Sequence, residues 1–116
     1  MQPIPVRKNL VIAQLETWTQ KLLLKQNGIA VDLTGWTISF IAKSKMSDAD
    51  GSAVITKTIT THTDAENGET AVELTSTDTD ITVGTYYYQI EFVSDESSRK
   101  IVMEGRLTIE KNLKDS

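Results

Sequence analysis

The sequence predicts an all-β protein, and three observations carry that expectation. Threonine is in surplus, sixteen of 116 residues, and a β-branched side chain, stiff at χ1, is penalised in a helix and suits a pleated, half-exposed surface. Turn signals recur at short spacing: Asn27-Gly28, Asp32-Leu33-Thr34-Gly35, Asp50-Gly51, Asn67-Gly68, Val83-Gly84 and Asp95 to Ser98. Asx-Gly pairs supply the positive φ of tight hairpins, and Asp or Asn side chains bond their own backbone two residues on. Helical periodicity is weak throughout. The one candidate, Ser76 to Ile81, has the length of a single 3-10 turn linking two sheets.

Between the turns lie segments of strand length: Leu10 to Ala13, Thr17 to Leu24, Ile29 to Val31, Trp36 to Ala42, Ala53 to Thr60, Thr70 to Leu74, Thr85 to Val93 and Lys100 to Glu110. About seven or eight antiparallel strands at this spacing predict a β-sandwich. Alternation is cleanest in the last two. Tyr86, Tyr88, Ile90 and Phe92 share one face, Tyr87, Gln89, Glu91 and Val93 the other, and the first set is expected to face inward. The partner strand repeats the pattern with Ile101, Met103, Leu107 and Ile109 inward and Val102, Glu104, Arg106 and Thr108 outward. Gly105 falls on the inward face, where a bulge or a large neighbouring ring is expected to occupy the space. Trp18, Leu22 and Leu24, with Trp36, Ile38 and Phe40, supply the opposing core. Gly84-x-Tyr86 resembles the tyrosine corner of immunoglobulin-like sandwiches, in which a Tyr at the start of a late strand bonds back across the preceding corner.

Composition narrows the chemistry. With no cysteine and one histidine, the chain lacks the residues for disulfides, cysteine-ligated zinc or a thiol nucleophile. A domain of this size buries roughly two-thirds of its unfolded surface, enough for an apolar core without staples. A net charge of −4 and a pI near 4.9 have the wrong sign for tracking phosphates, so nucleic acid is not an expected partner. No apolar run reaches the roughly 18 residues of a membrane span, and MQPIPVRKNL lacks the features of a secretory signal. A single domain, 1–116, is expected, with residues 1–8 as an N-terminal arm and 111–116 as a C-terminal tail. Pro3 and Pro5 favour an extended arm.

Candidate catalytic and metal-binding groups fare poorly on spacing. His62 lies in the polar Thr60-Thr61-His62-Thr63-Asp64 and is expected to be a solvated loop residue. A hydrolytic set of His62 and Asp64 with a serine or threonine is disfavoured because triad members come from separate elements. Asp48-Ala49-Asp50-Gly51 resembles the start of a calcium loop, but the twelfth position, where a bidentate Glu is needed, is Ile59. The segment reads as an ordinary turn. Thr77-Asp78-Thr79-Asp80 is better suited to capping backbone amides than to a cation. No buried acid suited to glycoside hydrolysis stands out. No catalytic, cofactor-binding or metal-binding residue is therefore assigned, and an enzyme is not expected. Tyr87 is the one aromatic that the alternation turns outward; with Val93 and Val102 it is expected to form a small interface patch. A carbohydrate- or cell-surface-binding module is the alternative reading.

The order of these features, Val31-Asp32-Leu33-Thr34-Gly35-Trp36-Thr37-Ile38-Ser39-Phe40, then Asn67-Gly68, then Val83-Gly84-Thr85-Tyr86-Tyr87-Tyr88-Gln89-Ile90, then Met103-Glu104-Gly105-Arg106-Leu107-Thr108-Ile109, resembles small immunoglobulin-like domains of bacteriophage and prophage tails. It is similar in particular to the N-terminal domain of phage baseplate upper proteins, over roughly residues 10 to 110. The resemblance implies a non-enzymatic virion component, made in the bacterial cytoplasm and then built into a tail or baseplate. It also implies other tail proteins as partners and a homo-oligomer. It transfers no catalytic residues, and it implies that Asp32, Gly35, Gly84, Tyr86 and Gly105 determine the fold.

Overall fold

A computed structural model describes residues 6–45, 53–94 and 98–112. It is all-β, with strands β1 (Val6–Arg7), β2 (Leu10–Ala13), β3 (Trp18–Leu23), β4 (Lys25–Gln26), β5 (Ile29–Ala30), β6 (Thr37–Lys43), β7 (Ile55–Ile59), β8 (Glu69–Leu74), β9 (Gly84–Val93) and β10 (Arg99–Glu110). The larger sheet runs β1-β10-β9-β6-β7, with β2 also on β10, and the smaller sheet is β3-β8. A short β4-β5 hairpin turns at Asn27-Gly28, both in the left-handed region. The strands are not all antiparallel. β1 and β2 run parallel to β10 in a single continuous register, Val6 to Met103 and Leu10 to Leu107. Residues expected to lie in the extended N-terminal arm are thus partly built into the sheet edge.

The core forms where the alternation places it. Tyr86, Tyr88, Ile90 and Phe92 are buried, as are Ile38, Phe40, Met103, Leu107 and Ile109. Trp18 and Leu22 of β3 and the buried Leu24 that follows meet them from the other sheet. Trp18 lies on Phe40 at 6.0 Å between ring centroids, and Phe40 stacks on Tyr88 at 5.5 Å and 13°. One expected core position is displaced: the register of β10 on β9 slips between Ile101 and Met103. A bulge there sets Ile101 opposite Glu91 on the outer face, while Val102 packs against the core. Ile101 inward and Val102 outward are both corrected by that one extra residue.

The Asp32 to Gly35 turn is built by its own side chains. Thr34 donates both its amide and its hydroxyl to Asp32 Oδ1, at 2.9 and 2.6 Å. These bonds, the hydroxyl first, hold the Asp32 carboxyl below its usual range. Leu33 is driven into the core and its amide donates to the Ala65 carbonyl. Among the described residues the 3-10 turn is this Ala65–Asn67 segment. Ser76 to Ile81, expected to be one, forms a turn with a 3.1 Å bond from the Thr79 amide to the Thr75 carbonyl.

Two glycines are required by close backbone approach. Gly68, at φ 73°, would place a Cβ 2.5 Å from the Leu24 carbonyl oxygen. At Gly105 a Cβ would collide with the Lys8 carbonyl. The gap over Gly105 is therefore filled by a neighbouring backbone, over which Tyr88, its cross-strand partner, reaches to donate its hydroxyl to that same carbonyl. Gly84, by contrast, has open space around it and no positive φ, so nothing in the fold demands glycine there. Gly105→Ala is expected to destabilise the protein by more than about 2 kcal/mol in urea unfolding, and Gly84→Ala by less than about 0.5 kcal/mol.

Candidate functional site

The outer face of the larger sheet carries a groove of about 460 Å³ over β6, β9 and β10. Strand alternation supplies its side chains in cross-strand rows. One row sets Lys43, Tyr87 and Arg106 side by side; the next sets Ile41, Gln89 and Glu104; a third sets Ser39 beside Glu91. Arg7 reaches in from β1 and Asn9 from the junction with β2. At that junction the Asn9 side chain accepts the Arg106 amide at 3.1 Å, in place of a ladder bond from the backbone.

Charge in the groove is partly paired. Arg99 bonds Glu91 at 2.9 Å, and Arg7 lies 3.6 Å from Glu104. Both pairs are solvent-facing and contribute little to stability. Tyr88, below this face, is nearly fully buried. Burial, and then the negative charge of Glu104, push its hydroxyl up to about 12.

The other sequence candidates serve the fold. His62 is half-buried rather than solvated: its Nε2 donates to the Trp36 carbonyl and its Nδ1 accepts from the Thr70 hydroxyl in the neutral tautomer, both at 2.9 Å. The ring thereby clasps the lead-in to β6 to β8 on the opposite sheet. Asp64 is engaged by the Asn67 side-chain amide, while both ring nitrogens of His62 are bonded to other partners. Asp78 caps the turn after β8, accepting the Thr75 amide and hydroxyl and the Lys57 ammonium. Burial works against its charge, but these donors outweigh it and hold the carboxyl below its usual range. Thr79 is fully buried and donates to the Glu16 carbonyl. The Asp48–Gly51 segment lies outside the described residues. Among those described, no group of three His, Cys, Asp or Glu is gathered to hold a metal ion, and no helix is long and apolar enough to cross a membrane.

Of the expected interface patch, Tyr87 and Val93 lie on the outer face, half-buried, whereas Val102 has turned inward and Ile101 stands in its place. Alternation sets Gln89 on the same strand face as Tyr87, but Arg106, Ser39 and Lys43 are not gathered with it in the sequence reading. The signal was present: the period-2 pattern of β6 and β10, aligned on β9, puts them on one face. No protein-family model matches the chain, and no curated protein matches it.

Two measurements test these assignments. The raised Tyr88 value means that the folded protein keeps a proton the unfolded chain has lost, so stability falls with pH between about 10 and 12. Below pH 10 the contribution is complete. Tyr88→Phe is expected to flatten that segment of the pH–stability curve. His62→Ala is expected to cost about 1–3 kcal/mol in thermal or urea unfolding, because it orphans the Trp36 carbonyl and the Thr70 hydroxyl.

Proposed function

We propose that the chain is an immunoglobulin-like sandwich acting as a non-enzymatic structural component of a bacteriophage or prophage tail or baseplate, through protein–protein contacts. The fold part of this reading is supported by the order of strands around the core. The last strand is flanked by the first on one side and by β9 and β6 on the other, with β3-β8 facing them. It is supported also by Tyr86, whose hydroxyl donates to the Thr82 carbonyl four residues upstream, the bond that defines a tyrosine corner.

The observation that carries the assembly part is the smaller sheet. It has two strands, and beyond the single Asp64–Glu69 bridge their outer edges join no further strand among the described residues, which leaves backbone donors and acceptors that can pair with another chain. Leu23 at the end of β3 is 55% exposed, and Ile29 of the adjoining hairpin is 73% exposed. A homo-oligomer, or pairing with other tail proteins of the same virion, covers such an edge. On this reading the protein is made in the bacterial cytoplasm and then incorporated into the virion. A second reading, a carbohydrate-binding module, is favoured by the Tyr87 groove.

Sedimentation velocity over a wide concentration range tests the assembly proposal. The expected result is a dimer or larger species that Leu23→Lys shifts toward monomer without lowering the melting temperature. A protein that stays monomeric at high concentration and binds no co-expressed tail protein overturns it.

A further inference from the structure

The groove over β6, β9 and β10 has the size of a small-ligand site. Each of these three strands is hydrogen-bonded on both sides. An extended peptide therefore finds no strand edge to join there, and recognition rests on side chains alone. Those side chains include one outward phenol ring, Tyr87, with the planar amide of Gln89 next along the same strand face and the Ser39 hydroxyl farther down the groove. This set offers a ring platform beside donors and acceptors, as a hydroxyl-rich ring requires.

Charge narrows the class further. Four cationic and two anionic side chains line the groove, on a chain whose net charge is −4. Positive charge is concentrated here against the sign of the whole molecule. Arg7 and Arg99 are engaged by glutamates, but the exposed Arg106 has no ion pair among the described residues. It stands directly across from Tyr87 in the register, with the planar fork that receives a carboxylate through two bonds.

We infer that this groove binds an acidic saccharide, with a sugar face resting on the Tyr87 ring and its carboxylate received by Arg106. The inference rests on the carbohydrate-binding reading and is independent of the assembly proposal. A protein that fails to oligomerise leaves it intact, and a tail component can carry such a groove.

The test is titration of the ¹⁵N-labelled full chain with trigalacturonate, followed by amide chemical shifts. Maltotriose, hexaglutamate and inorganic phosphate are parallel arms at the same ionic strength. Trigalacturonate is expected to give saturable shifts confined to β6, β9 and β10. Arg106→Gln is expected to weaken that binding about ten-fold or more, the scale of a charge-assisted hydrogen bond, and to leave the weaker maltotriose response unchanged. Tyr87→Ala should weaken both sugars. The same spectra report whether each variant is folded; if Tyr87→Ala is not, Tyr87→Leu takes its place. The inference is overturned by the lack of saturable shifts on this face, by an equal response to phosphate or hexaglutamate, or by an Arg106→Gln variant that binds trigalacturonate as tightly as the parent chain.

Discussion

A run of three aromatic rings joins the two sheets. Trp18 comes from the smaller sheet onto Phe40 of the larger, Phe40 stacks on Tyr88, and the Tyr88 hydroxyl holds the Lys8 carbonyl at the junction of β1 and β2. In a chain without cysteine, no covalent bridge can register the two sheets. The Trp18–Phe40 contact does so instead, and each ring contact adds about 0.5–1.5 kcal/mol beyond burial. The same column fixes the edge of the larger sheet, because Tyr88 sits across from Gly105 and draws the Lys8 backbone into the space that a side chain there would fill. The parallel pairing of the N-terminal strands and the requirement for glycine at 105 meet at this one contact.

Polar clasps finish what the rings begin. His62 joins the start of β6 to β8, Thr79 joins the turn after β8 to the Glu16 carbonyl, and the Gln14 side-chain amide reaches the Ile81 carbonyl at 2.8 Å. All three tie segments far apart in sequence, and all sit at the rim of the core, where a lone backbone carbonyl is costly. A smaller sheet of two strands has little area of its own to bury. These clasps compensate, and they explain why the only histidine and a buried threonine belong to the scaffold.

The legible parts of the fold are those governed by alternation over many residues. β9 and the inner half of β10 could be read side chain by side chain, because a ten-residue period-2 run admits one register. The Asp32 turn was legible too, since Asx chemistry is local. What escaped had a tertiary cause. The bulge at Val102 exchanges Ile101 and Val102 between faces, and nothing in Lys100-Ile101-Val102-Met103 marks an extra residue. The reversal after β2 places Leu15 at φ 67°, a conformation no leucine signals, held by the Glu16 amide on the Ala13 carbonyl and the Glu16 carboxylate on the Ala13 amide. The short β1 and β4 strands have no pattern of their own and exist because neighbours offer a partner. The groove was half-visible: Tyr87 was turned outward by alternation, but its companions on β6 and β10 are assigned to it by register, which a single strand does not contain.

The arrangement separates two kinds of surface. The small sheet consists of edge strands alone, with the exposed Leu23 and Ile29 beside them. The groove belongs to the large sheet, whose central strands are hydrogen-bonded on both sides and whose side chains are anchored from beneath by Tyr86, Tyr88 and Phe92. A face so rigid loses little entropy when a ligand settles on it. Because the two surfaces lie on opposite sheets, occupying one leaves the other exposed. An assembly built through the edges would display the groove of every copy, and repeated weak sites on a symmetric array gain avidity that one groove of this size lacks.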